Sequence, residues 1–442
     1  MALAATTVWE VRTTGNALNG GGFNPSRDAV NGVDYSQQDT AQLAPTDLYR
    51  VAANSLYSDS FTFTHAMEGN IIYIASGTHF TAGYYEIVTY VDATHVTLDR
   101  DPASEDTSAH KDGVGKVGGA SNNPQTIIAS ITSGMKMHIK VGTYTNAGAT
   151  QTAVLTLVND GSAATGMIII EGYNTTRGDN PIGANRPELD AANDETYVVS
   201  EADKGGYYWK NIIFKRATSH GFLGGSGGWG TRSQFWNCRF TANGGWGLYH
   251  GTNGGGVNLT NCEIDNNTSG GTSGSPNNDA SFQYCYIHDN GGPGANHRTC
   301  YLTECIVDSN VGYGMYSANA LGALNCVFYN NTGVNAYGYG CAHSNSYDGG
   351  GIVNCIAMNN GKYGISNADS SCRHQLFVRS LTYGNGTAGT LNMGSANVAV
   401  IDNNLTSDPL FTDAPNGDFT LQAGSPCLDV GFPQTPMVGA TI

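Results

Sequence analysis

The chain has 442 residues, of which 60 are Gly; charged residues make up 13% and hydrophobic ones 40%. That is enough apolar material for a core, but too much glycine for a helical one, since each Gly costs a helix about 1 kcal/mol. A formal charge of -16 excludes a broad basic face for nucleic acid, and no window approaches the ~18 apolar residues of a membrane span.

The opening stretch, Met1 to Trp9, has neither the basic nor the apolar region of a secretory leader. It points either to a leader already removed or to a protein assembled in the cytoplasm, as a virion component would be. Further on, Asn70–Ile74, Tyr84–Val91 and His95–Leu98 read as strands, with Asp92-Ala93-Thr94 as a hairpin loop between the last two. They predict a small antiparallel β-module over residues 1–122, and 101–124 reads as a polar, Gly-rich linker or loop.

From there a different grammar takes over. The segments beginning at Met137 and Met167 read as opening coils, and Asn211–Phe214 fits a coil with Ile212 in the place that Cys takes later. Six coils then carry one Cys each: Cys238, Cys262, Cys285, Cys305, Cys326 and Cys355. The steps between them are 24, 23, 20, 21 and 29 residues. Five residues after each Cys stands an Asn: Asn243, Asn267, Asn290, Asn310, Asn331 and Asn360. Two residues after each Cys stands an apolar residue, Phe240 and Ile264 among them. A period of 20–30 residues with a fixed internal order is a solenoid signature.

Strand side chains alternate, so Cys and Cys+2 share the inward face. The Asn at Cys+5 falls at the strand end, where its tolerance of left-handed backbone suits a turn. Stacked Asn amides can also bond from coil to coil as a ladder. The six thiols read as a second buried ladder of free Cys, not as disulfides. After Cys355, Ser380 takes the Cys place with Asn385 five residues on, and another coil follows near Val398–Asn404. The predicted fold is all-β: a right-handed parallel β-helix over 123–405, the N-terminal module, and a C-terminal cap over 406–442.

The outward positions hold the candidate chemistry. The Cys+3 column places Asp265, His288 and Asp308 on successive coils, with Glu263 and Tyr286 beside them at Cys+1. Two carboxylates about 10 Å apart with a His between them suit acid/base work on a glycan; the plain alternative is a solvated polar face. The Cys+1 column turns apolar at Ile306, Val327 and Ile356, a stripe that predicts cover by a loop or by another chain. Trp229, Trp246, Tyr286, Tyr313 and Tyr329 are candidate sugar-stacking residues. His297, Arg298 and Glu304, and separately Asp369, Arg373 and His374, read as loop charges. No metal site or cofactor motif stands out.

The stretch Asp408–Gly431 resembles the closing segment of bacterial and phage right-handed β-helix (pectin-lyase-like) proteins. The opening, Trp9–Gly15 with Asn19–Phe23 and Asp34–Asp39, resembles the start of β-helix proteins from phage and environmental viral sequences. With the repeat between them, the resemblance covers most of the chain. That superfamily spans polysaccharide lyases, hydrolases, tailspikes and adhesins, so its fold does not dictate function. The resemblance implies a virion surface protein (a tailspike, fibre or capsid-decorating protein). Such a protein would be trimeric, join other virion proteins through the N-terminal module, and present its solenoid to host polysaccharide. A secreted polysaccharide lyase or glycoside hydrolase, extracellular and not virion-bound, and a purely structural capsid cement are the rival readings.

Overall fold

The computed structural model describes residues 3–27, 32–145, 152–162, 164–225, 233–251, 256–274, 279–317, 321–333, 337–341, 348–367, 373–391 and 398–428. The chain forms two compact units, the first built mainly from residues 1–144 and 157–181, the second mainly from 188 onward.

In the first unit, Ser55–Tyr57, His95–Leu98, Gly83–Asp92, Ile71–Ser76 and Val114–Val117 form a five-stranded sheet in that order, with every pairing antiparallel. Its alternating apolar residues close over Leu56, Ile72, Ile74, Tyr85, Ile87, Val96 and Val117. Val114–Val117 is therefore an edge strand of this sheet, in a stretch that composition alone reads as linker. The same stretch ends at Asn123, whose side chain caps the short helix Pro124–Ile128 by accepting from the Gln125 N–H.

Val8–Val11 does not join that sheet. It pairs parallel with Lys136–Lys140, which in turn pairs with Ile168–Tyr173. The N-terminal strand is thus a rung of a parallel stack, separated from its neighbour by the whole antiparallel insertion. Glu10 lies on this rung, fully buried. Arg12 and Arg177 both reach it at 2.8 Å, and the Tyr173 hydroxyl donates to it as well. Pairing of this kind makes burial of a carboxylate tolerable.

The second unit is the solenoid. Three parallel sheets run along it, two with nine strands each within this unit and one with ten. Each rung follows the same course. One rung runs through Val257–Thr260 in the first sheet, Glu263–Asp265 in the second and Gly270–Gly274 in the third. The next repeats it as Asp279–Gln283, Tyr286–His288 and Ala295–His297, each strand paired in register with the one before.

Two left-handed residues per rung make the corners. The one before each Cys (Asn237, Asn261, Tyr284, Glu304, Asn325, Asn354) has φ of 52–55°. The one at Cys+4 (Ala242, Asn266, Asp289, Ser309, Asn330, Asn359) has φ of 48–58°. The ladder Asn at Cys+5 is therefore not itself the left-handed residue; it follows that residue and turns its amide inward. That amide donates to the next rung's Asn oxygen at 2.8, 3.0, 2.8, 3.0, 2.9 and 3.0 Å from Asn243 through to Asn385. A second, looser amide stack sits at the other corner, where Asn237 donates to Asn211 at 2.7 Å and Asn354 to Asn325 at 3.2 Å.

The six column cysteines are buried and unbridged. Each thiol donates to the carbonyl two residues earlier, at 3.2–3.5 Å. Burial pushes the thiols of Cys262, Cys285, Cys305 and Cys326 well up, so they stay protonated and inert. The chain has ten Cys, and eight described ones are buried and free. No more than two thiols should therefore react with an aromatic disulfide reagent in the native protein, and all ten after unfolding. Four of the ten lie outside the column, so native reaction of five or more would break the ladder reading.

The segment after the last rung runs along the flank of the second sheet. Phe411–Asp413 and Asp418–Leu421 form a small hairpin, and Phe411, Ala414, Phe419 and Cys427 pack on Ile306, Val327, Tyr329, Ile356 and Leu381.

Candidate functional site

The register of the second sheet brings the predicted row together. Asp265, His288 and Asp308 stand on adjacent rungs, with Glu263, Tyr286 and Ile306 aligned beside them. The row is not a solvated polar face, since Asp265 and Asp308 are buried and only about an eighth of the His288 and Glu263 side chains is exposed.

The three residues are in unlike electrostatic states. Asp265 accepts a fork of hydrogen bonds from Arg239 at 2.8 and 2.7 Å, and further bonds from Thr241 at 2.9 Å and Asn266 at 2.6 Å. Burial works against its ionisation, but the Arg239 fork overrides this and holds the carboxyl below its ordinary range. The Asp265 oxygens are thus engaged by four donor contacts, whereas the Asp308 carboxyl has no Arg fork.

His288 contacts Asp289 at 2.8 Å through Nδ1 and Glu263 at 3.5 Å through Nε2. Its ring stacks on Tyr286 with centroids 3.8 Å apart. Burial opposes protonation, yet Glu263 and Asp289 outweigh it and raise the pKa. Asp308 has no cationic fork. Burial drives its pKa up to about 6, against the pull of His288 and a 3.2 Å hydrogen bond from the Tyr286 hydroxyl. Glu263, Asp265 and His288 offer ligand atoms within 4.8 Å of one another, but the Asp265 oxygens already serve Arg239, so the set does not fit a cation.

Of the two covers expected for the apolar stripe, a loop or another chain, the structure has the first, and the interface assignment is corrected. Ile306, Val327 and Ile356 are buried under the chain's own Phe411 and Phe419, so the cover is the closing segment and not another subunit. Tyr329 goes with them: its ring meets Phe419 edge-on at 5.4 Å, and it offers no face to a sugar. Tyr286 is likewise engaged, between His288 and Asp308. Trp246 is half-buried, its ring filling the space over Gly270 on the next rung. Tyr313 is half-buried against Tyr316 at 4.9 Å. Trp229 and Asp369 lie outside the described residues, as do the side chains of Arg373 and His374.

His297 is no loop charge. It points into the solenoid, 3.0 Å from the Thr272 hydroxyl, and burial holds its pKa down at about 3. Desolvation likewise puts the buried His250 at about 4.

Three exposed tyrosines lie outside the predicted sugar-stacking set, Tyr284, Tyr301 and Tyr383, and Tyr301 is on the first sheet. Tyr301 is 50% exposed, on a strand whose Cys300 and Leu302 face inward. On the rungs before it, Asn258 and Ser281 align with it; on the rung after, Gly322 does. No residue type recurs at every rung of this column, as Cys and Asn do in theirs, so nothing in the one-dimensional pattern marks it.

Residues 201–348 match the family model described as "Right handed beta helix region". No curated protein matches. Among solved structures, a pectate lyase is 16% identical, with a TM-score of 0.45 over 70% of this chain and 85% of its own. A tailspike of Acinetobacter baumannii bacteriophage Fri1, described as a capsular polysaccharide depolymerase, is 10% identical, with a TM-score of 0.34. That match covers 61% of this chain and 56% of the tailspike. A tailspike of A. baumannii bacteriophage AP22, solved with A. baumannii capsular saccharide, is 11% identical, with a TM-score of 0.32 over 80% of this chain and 66% of its own.

Proposed function

We propose that this right-handed parallel β-helix protein is a glycan-binding surface protein of the virion type, a tailspike, fibre or capsid-decorating protein, that meets host polysaccharide on the flank of its solenoid. The observation that carries the reading is the outward face of the first sheet. Its two central rows hold no charged side chain between Gln234–Trp236 and Leu376–Val378, in a chain of net charge -16. Amide, hydroxyl and aromatic groups at fixed rung spacing are what sugar hydroxyls and ring faces require. The homotrimer and the docking role of the N-terminal module belong to the same proposal. The trimer would use a surface other than the stripe now covered by the closing segment.

The test is retention of the pure protein on immobilised envelope glycans, with its mass measured by light scattering. Retention on at least one glycan by a trimer is expected. A monomer that no glycan retains would overturn the proposal.

A second reading has one specific observation in its favour. Asp308, with a pKa near 6 beside Tyr286 and His288, has the protonation state of a general acid for glycoside hydrolysis. It predicts new reducing ends from a bound polysaccharide, abolished in Asp308→Asn.

A further inference from the structure

Resting on glycan binding as proposed, we infer that the first-sheet face takes an uncharged polysaccharide running along the solenoid axis, with Tyr301 as the central stacking residue. Three features of the face lead there.

The first is how Tyr301 is seated. A Cβ at Gly322, the aligned residue of the next rung, would lie 3.2 and 3.7 Å from the Tyr301 ring atoms Cδ1 and Cε1. The ring leans across the space that a side chain at 322 would fill. Glycine there lets a large aromatic lie down on the sheet while half of the residue stays in solvent. Leu376 leans in the same way over Gly351, with its Cβ 3.2 Å from the glycine's Cβ position. Gly322 and Gly351 stand on adjacent rungs, because Ala323 pairs with Ile352. Two glycines thus floor a low stretch of sheet with Tyr301 at one side.

The second is the grading along the axis. Asn258, Ser281, Gln283 and Thr303 lie on the N-terminal side of Gly322 or level with Tyr301, each able to donate and accept hydrogen bonds. Level with Gly322 is Leu324, 41% exposed, and beyond it is Leu376. A sugar has hydroxyls at its edge and an apolar face, so one ligand satisfies both halves.

The third is charge. Seven rungs without a charge in the two central rows span about 29 Å at ~4.8 Å per rung. Over that length a polyanion would meet a cation only at one end, where Lys210 lies over the Trp236 ring, and would meet the repulsion of a chain with net charge -16. A neutral polymer pays neither penalty. Because rungs repeat along the axis and not across it, an extended chain meets equivalent positions only when it lies lengthwise.

Binding of neutral β-glucan, galactan and mannan is compared with that of polygalacturonate and alginate by affinity electrophoresis, for the native protein, Tyr301→Ala, Tyr301→Phe and Gly322→Val. Unchanged melting midpoints check the variants' folding; both positions point outward, so the core is untouched. Expected is binding to a neutral polymer, about tenfold weaker in Tyr301→Ala, comparably weakened in Gly322→Val, where the ring is lifted, and largely kept in Tyr301→Phe. Binding to polyanions alone, or neutral binding that all three variants retain, would overturn the inference and leave glycan binding itself standing. No binding to any polymer would remove both. A change of oligomeric mass in Tyr301→Ala without any effect on sugars would assign the face to a second copy of the chain instead.

Discussion

Replacing Asn290 by Ala in the middle of the amide ladder should destabilise the protein by about 4 kcal/mol, measured as a drop in the urea midpoint. The figure follows from what the side chain does. Its Nδ2 donates to the carbonyls of Ile264 at 3.0 Å and His288 at 2.9 Å and to the oxygen of Asn310 at 2.8 Å. Its Oδ1 accepts from the backbone N–H of Asn267 at 3.1 Å and from that residue's amide at 3.0 Å. Truncation leaves several of these buried groups without partners, at roughly 1–3 kcal/mol each, partly relieved by water entering the gap. Asn385, half-buried at the end of the ladder, donates only to Ala357 and should cost about half as much when truncated. A solenoid is held by nearest-neighbour coupling, so the central variant should also lower the m-value as the rungs on either side begin to melt separately. Equal losses at positions 290 and 385 would show that the amides act as independent turns.

That asymmetry bears on what the sequence revealed. Cys and Asn recur at a fixed separation because each rung must present the same inward atoms to the next, so the interior was legible residue by residue. The left-handed corners were not, since Ala242, Ser309, Tyr284 and Glu304 adopt them alongside Asn; the turn repeats while its residue type does not. The outward surface was harder still. Whether Ser281 neighbours Tyr301 depends on register between strands some 20 residues apart, and connections of unequal length hide it. The apolar column Ile306, Val327, Ile356 was legible as a stripe that needs cover, but its cover comes from Phe411 and Phe419, beyond the repeat. Val8–Val11 escaped because its partner strand begins at Lys136, across a whole antiparallel insertion. Of the acid row, alignment was readable and ionisation was not. Asp265 and Asp308 occupy the same column, and what separates them is Arg239, which reaches only the former.

Asp308→Asn should make the protein more stable at pH 8, by about 2–3 kcal/mol, and this gain should vanish near pH 4. The folded carboxyl has a pKa of about 6 against an ordinary 3.8, with burial as the largest cause. An acid whose folded pKa is raised keeps its proton longer in the folded state. Between about 3.8 and 6 the native protein therefore holds more protons than the unfolded chain, and stability falls as pH rises through that window. Below it the group is neutral in both states and costs nothing; above it the full penalty of an ionised, buried carboxylate is present. Asparagine does not titrate and can still accept from the Tyr286 hydroxyl, so it removes the penalty and keeps the contact. The same substitution withdraws a negative charge that favours protonated His288, so the His288 pKa should fall in an NMR titration. His250 and His297, held neutral by burial, should stay silent between pH 8 and 5. Asp265→Asn should do the reverse of Asp308→Asn and destabilise at pH 8, because it strips Arg239 of its buried partner. A protein that keeps an ionisable group at a cost in stability, two column positions from a fully paired one, has reason to use its proton. A loss of stability in Asp308→Asn of equal size at pH 5 and pH 8 would remove that reason and leave the row a structural network from end to end.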